Sequence, residues 1–197
     1  MNFLAHAYLS GNNTSISLGN LLGDMVKGQD WKYYNSEIAT GMRLHRYIDE
    51  FTDHHPVFIQ SKALLKPYFN RYAGVVLDIY FDHFLAYNWV DYHPKALQDY
   101  VNNLYISLIK HYPILPAKGK KMIPIMIIRN WLGGYGHLPS LHQIFLGMDR
   151  RTNHKGNMYE AVNILQTHFE DLHSDFKLFF PDLITFSETK LTELQNT

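Results

Sequence analysis

Apolar residues recur three and four positions apart along most of the chain, and long alternations of apolar with polar residues are missing. Spacing of three and four lays apolar side chains along one face of a helix, whereas alternation would mark a strand. The pattern predicts helices over roughly 15–27, 36–53, 57–68, 72–91, 94–111, 119–132, 139–149 and 156–178, with a short one near 182–193. The punctuation agrees. "GNNTS" offers a cap before the first helix, His55-Pro56, His93-Pro94, Leu115-Pro116 and Phe180-Pro181 mark breaks, and "GGYGHLP" reads as a flexible turn. Pro124 should kink its segment or start it late. No repeat, low-complexity tract or linker divides the chain, so residues 1–197 read as a single all-α helical bundle.

Three polar pairs break the apolar pattern. In "GMRLHRYIDEFTDHHP", Leu44, Tyr47, Ile48 and Phe51 form the core stripe and Arg43, Arg46 and Glu50 the outer side. His45, Asp49 and Thr52 lie between them, at the margin of the core. In "AGVVLDIYFDHFLAYNWV", which is apolar on nearly every side, Asp78 and Asp82 stand four apart. Such a helix is buried, and two carboxylates on one of its lines need a cation: arginine, lysine or a metal. His83 lies about 100° round from Asp82 and can reach the rim of the same cavity or cap another helix. In "GNLLGDMVKG", Asn20 and Asp24 are four apart, as are Gly19 and Gly23. Glycine weakens a helix, so two of them one turn apart mark the close approach of another backbone or of a ligand. His6 lies inside the apolar "NFLAHAYL".

Composition narrows the chemistry. Apolar residues make up 46% of the chain and charged ones 18%, which describes a packed globular protein. The 18 basic and 18 acidic residues balance, so nothing global recommends nucleic acid as a partner. There is no cysteine, so any metal must bind nitrogen or oxygen. "MNFLAHAYLS" lacks the basic and apolar regions of a signal peptide, and "MIPIMII" is too short to span a membrane, so a cytoplasmic protein is expected. Helix bundles build metal sites from inward carboxylates and imidazoles, and a set rich in Asp suits Mn²⁺ or Mg²⁺ better than zinc, with iron left open. Such ions serve phosphate-ester hydrolysis. Neither a P-loop nor a Gly-x-Ser-x-Gly elbow occurs.

"MNFLAH", "GNLLGDMVKG", "GMRLHRYIDEFTD", "LDIYFDHFLA" followed by Trp89, and "GMDRR" occur in one order and spacing. On these motifs the chain, from residue 1 to about residue 151, resembles the bacterial acyl carrier protein phosphodiesterase family. The resemblance implies a distant variant of the HD phosphohydrolase fold. It also implies an enzyme that uses Mn²⁺, or Mg²⁺ or another divalent ion, to cleave 4'-phosphopantetheine from a serine of holo acyl carrier protein. The adjacent His-Asp dyad of HD proteins is missing: Arg46 follows His45, and Asp82-His83 has the reverse order. Carried onto matching positions, the resemblance gives a metal shell of His6, Asp24, His45 and Asp82. Asp49 and Asp78 would orient those ligands or carry a proton, and Asn20, Arg46 and His83 would hold the phosphate or the leaving serine oxygen. Asp53 and His54 read as a helix end and loop.

Carrier proteins are acidic, so basic residues should flank the site. Lys118, Lys120 and Lys121 of "PAKGKK", with Arg150 and Arg151, are the clusters available for docking, while "PIMII" reads as core rather than as a pantetheine groove. Two other readings fit the same residues: an HD-type hydrolase of nucleotides or other small phosphate esters, and a non-catalytic helical module whose polar pairs are structural.

Overall fold

Helix α5 (Ala73–Tyr87) is the axis of the structure, a computed structural model that describes residues 1–196. It buries side chains on every side, from Val76 and Leu77 to the unbroken run Ile79–Ala86, as its nearly unbroken apolar sequence requires. Against it pack α1 (Phe3–Tyr8), α4 (Pro56–Phe69) and the C-terminal α12 (Phe169–Gln195). The pair α2 (Thr14–Leu22) and α3 (Ser36–His54) forms the next layer, with α12 also against α3. The remaining helices close the other side: α6 (Trp89–Tyr92), α7 (Leu97–Lys110), α8 (Ala117–Ile128), α9 (Trp131–Gly134), α10 (Leu138–Arg151) and α11 (Ala161–Thr167). No strand occurs among the described residues, and no helix there is long and apolar enough to cross a membrane.

Several predicted boundaries move, each for a physical reason. Residues 3–8 form a helix too short for a periodic signal; Asn2 caps it through Oδ1, which accepts the Phe3 N–H at 2.8 Å. The segment expected to be helical to residue 27 leaves the α conformation at Leu22 and continues as a 3-10 turn, Gly23–Met25. The 72–91 helix stops at Tyr87, where the Asn88 amide folds back to donate to the Phe84 carbonyl at 2.8 Å. The break expected at Phe180-Pro181 is absent. The chain breaks instead at His168, and α12 runs through Pro181. An interior proline costs about 3 kcal/mol. Leu172, Phe176, Phe179, Phe180 and Leu183 are fully buried along this helix, and each such side chain returns roughly 1.5–3 kcal/mol, so packing outweighs the proline. Pro124 likewise sits inside α8.

Glycines let α2 and α3 touch backbone to backbone. A Cβ at Gly19 would fall within 3.0 Å of the Ile38 carbonyl, and one at Gly41 within 3.0 Å of the Ile16 carbonyl. Of the two readings of Gly19, the helix crossing is the one observed. Gly19→Ala or Gly41→Ala should therefore destabilise the fold by about 1–3 kcal/mol or more, since neither backbone can yield locally. Gly147→Ala in α10, where a Cβ would meet nothing within 4 Å, should instead be neutral or stabilise by about 0.5–1 kcal/mol. Thermal melts of the three variants test the contrast; equal losses at all three would refute the close crossing.

Candidate active site

Three elements bring imidazole and carboxylate together. Helix α1 supplies His6, α3 supplies His45 and Asp49 one turn apart, and the 3-10 turn after α2 supplies Asp24. The two imidazoles stack with centroids 4.0 Å apart. Asp49 spans them, with Oδ1 3.2 Å from His6 Nε2 and Oδ2 3.1 Å from His45 Nε2. Asp24 Oδ1 approaches His45 Nε2 from the solvent side at 3.4 Å. Gly23 makes room for this, because a Cβ there would overlap the His45 ring.

A hydrogen-bond chain fixes which nitrogen of His6 faces the cluster. Ser10 Oγ lies 2.8 Å from the His6 carbonyl, which only accepts, so the single hydroxyl proton of Ser10 is used there. Ser10 Oγ must then accept from Asn20 Nδ2 at 2.9 Å, which turns Asn20 Oδ1 toward His6 Nδ1 at 2.8 Å. Nδ1 therefore carries the proton, and Nε2 points a lone pair at Asp49 Oδ1 and at the Met1 carbonyl, both 3.2 Å away. Three acceptors facing one another call for a cation between them. Neither ring nitrogen of His45 has a well-directed hydrogen bond although both are buried. This donor set of two imidazoles and clustered carboxylates fits a divalent ion of hard or borderline character.

The two imidazoles of the cluster differ in ionisation. Burial, helped by the neighbouring His45, pushes His6 down to about 4 and keeps it neutral, as a ligand must be. Burial also works against charge on His45, yet the Asp24 and Asp49 carboxylates override it and raise that imidazole to about 9. Burial would raise Asp49, but the charged His45 outweighs it and holds the carboxyl below the usual range. The carboxylates thus keep a proton on His45, which an ion bound there would have to displace. The cation required by Asp78 is the α-amino group of Met1, 3.0 Å from Asp78 Oδ1 and 3.8 Å from Asp49 Oδ1. Burial opposes its charge, but Asp78 and Asp49 keep it raised.

His6, His45 and Asp24 of the cluster, with Met1 and Asp78, line a cleft of about 730 Å³. Val75, Ile79, Met122, Trp131, Ile144 and Met148 make apolar walls, and Lys118, Arg129 and Arg151 are the lysine and arginine side chains on its lining. Its only carboxylates, Asp24 and Asp78, lie with the histidines.

Of the residues expected at the site, His6, Asp24, His45, Asp49 and Asp78 meet there. Asp82 does not. Its two oxygens accept the Leu4 and Ala5 N–H groups at 2.7 and 3.2 Å, so it anchors the start of α1 from within the core. Burial pushes its carboxyl up to about 7 despite those bonds. Asn20 is fully buried and orients His6, so it cannot touch a phosphate. Arg46 is exposed and reaches only toward the Val26 carbonyl, and His83 binds the Tyr135 carbonyl through Nδ1 at 2.7 Å; neither lines the cleft. Lys118 and Arg151 line it, whereas Lys120, Lys121 and Arg150 stand exposed outside it. "PIMII" divides: Met126 is core, Ile125 faces the cleft, and Ile128 is exposed, so the segment is not core as a whole. Met1, Ser10 and Arg129 were missed, and only the aligned acids of α5 hinted that a cation was needed.

A family model described as "Acyl carrier protein phosphodiesterase" matches residues 1–183, so the likeness runs past the last motif at about residue 151. The chain is 30% identical over 191 residues to the acyl carrier protein phosphodiesterase of Yersinia enterocolitica, covering 96% of this chain and 99% of the relative. It is 31% identical over the same length to that of Photorhabdus laumondii, covering 96% of each. No solved structure matches the chain, so the expected likeness to the HD fold has no structural match behind it.

Two substitutions separate positioning from ligation. Asn20→Leu removes the acceptor for His6 Nδ1–H, so ¹⁵N NMR of the imidazole should show the Nε2–H tautomer gaining population, with a stability loss of about 1–3 kcal/mol. An unchanged tautomer would refute the Ser10–Asn20–His6 chain. Asp82→Asn should cost a similar amount, about 1–3 kcal/mol, because an amide cannot accept from both N–H groups. The loss should be the same size in EDTA and in Mn²⁺; a loss confined to Mn²⁺ would restore Asp82 to the metal shell.

Proposed function

The chain belongs to the acyl carrier protein phosphodiesterase family, and from that premise we propose that it hydrolyses the phosphodiester joining 4'-phosphopantetheine to a serine of holo acyl carrier protein. Water adds to phosphorus, the P–O bond to serine breaks, and the serine oxygen takes up a proton. The products are apo carrier protein and free 4'-phosphopantetheine. The observation that carries this reading is the His6–His45–Asp49 cluster, with Asp24 beside it, opening on a cleft that also carries Lys118, Arg129 and Arg151.

His6 through Nε2, His45, Asp49 and Asp24 would hold the ion, with Mn²⁺ or Mg²⁺ the best match to the donors. A divalent ion held there supplies a water of lowered pKa and offsets charge on the phosphoryl oxygens. Asn20 presents the His6 lone pair. Asp78, whose carboxyl burial pushes up while the Met1 amino group opposes that shift, is placed to exchange a proton with the attacking water or the leaving oxygen. Arg129 and Arg151 can donate to the outer phosphate oxygens, and the apolar walls suit the pantetheine arm. Lys118 and Arg151, with Lys120, Lys121 and Arg150 farther out, would attract the acidic carrier protein.

Mass spectrometry of holo carrier protein incubated with enzyme and Mn²⁺ should show conversion to the apo mass with release of 4'-phosphopantetheine. A protein that cleaves nucleotides but leaves the carrier intact would overturn the substrate. Asp49→Asn should lower kcat/KM by about a hundredfold or more and abolish the stabilisation that Mn²⁺ gives the wild type in thermal melts. A wild type with no Mn²⁺ response would sink the metal site. Among the outer cations, Arg151→Glu should raise KM more than Arg150→Glu does, and both effects should shrink at high salt.

A further inference from the structure

Helix α8 is amphipathic in an unusual sense. Its inner face buries Gly119, Ile123 and Met126. Its outer face carries Ile125 and Ile128, 47% and 83% exposed and three residues apart, next to exposed Lys121 and Arg129. Lys118, Met122, Ile125 and Arg129, spaced four, three and four apart, also line the cleft. The exposed stripe is therefore continuous with the wall of the site. A single exposed isoleucine needs no explanation, but two on one turn, set between cations at the edge of a reactive cleft, form a small apolar patch with a charged border.

We propose that this outer stripe of α8, Lys121, Ile125, Ile128 and Arg129, is the seat of the protein moiety of the substrate. The proposal rests on the carrier-protein reading above. When the phosphate is at the floor of the cleft, the polypeptide that carries its serine must lie against the surface beside the cleft, and α8 forms part of that surface. The two isoleucines supply apolar contact that salt cannot screen, and Lys121 and Arg129 require acidic side chains around it. A second copy of this chain is a poor occupant, because an isologous contact would set the cations of one stripe against those of the other.

The test uses apo carrier protein, which lacks the prosthetic group and so reports docking alone, titrated into full-length enzyme by calorimetry. Ile128→Asp should weaken binding about tenfold or more, and Lys121→Glu should weaken it less, by an amount that falls with added salt. Leu178→Asp, at an exposed apolar position on α12 outside the cleft, should leave binding unchanged. Circular dichroism melts identify any variant that has lost its fold, and Ile128→Ser then replaces Ile128→Asp. If wild type converts holo carrier protein and binds the apo form, but Ile128→Asp and Ile128→Ser bind it equally well, the docking surface is wrong while the enzymatic reading stands. If wild type neither binds nor converts carrier protein, the enzymatic reading fails first. A wild-type dimer in analytical ultracentrifugation that Ile128→Asp dissociates would assign the stripe to a second copy and overturn the proposal.

Discussion

The near contact of the α2 and α3 backbones at Gly19 and Gly41 sets the geometry on which the site depends. Any side chain at these positions would hold the helices apart, and the gap would open most directly beneath His45, whose ring lies where a Cβ of Gly23 would be. The same approach brings Asn20, one residue after Gly19, into the layer where α1 passes, so that it can meet His6 and Ser10. Interiors are close-packed and do not deform smoothly. An error of an ångström between α2 and α3 would therefore reach the imidazole stack rather than be absorbed on the way.

Electrostatics imposes the complementary constraint. The carboxylates of Asp49, Asp78 and Asp82 lie close enough to influence the same α-amino group, and such a cluster is tolerated only where hydrogen bonds or cations meet it. Each acid has a different solution: two backbone N–H groups for Asp82, the Met1 amino group for Asp78, and two imidazoles for Asp49. The last is the least satisfied, because the neutral His6 offers Asp49 a lone pair where a donor would be expected. That residual mismatch, surrounded by satisfied neighbours, supports the ion site proposed above.

Much of this was legible in the sequence, and the failures share one cause. The helical class, the apolar α5 and the His45–Asp49 pair follow from three-and-four spacing, because α3 is a regular helix over that stretch. The same arithmetic put Asp24 on one helical line with Asn20, whereas the helix ends at Leu22 and a 3-10 turn carries Asp24 to His45 while Asn20 stays buried. It also could not rank Asp82 against Asp49. Both are inward-facing acids in helices, and their roles diverge only because the N-terminus of α1 docks on Asp82. The α-amino group of Met1 and the proton on Ser10 have no periodic signature, and the unbroken path of α12 through Pro181 is a tertiary result that local propensity argues against.

The cleft places both signs of charge on one lining. Asp24 and Asp78 lie with His6 and His45, Lys118 donates to the Asp24 carbonyl at 3.5 Å, and Arg129 and Arg151 bring two more cations. A phosphodiester carries one negative charge and becomes a phosphomonoester with more, so a chain of cationic positions favours the product as well as the approach. Burial strengthens the effect of such charges and solvent weakens it. On the proposed reaction, the buried imidazoles would act at the phosphorus, and the exposed cations would also steer the encounter. A net charge of zero is compatible with such steering, because it depends on the local charges at the cleft rather than on their sum over the chain.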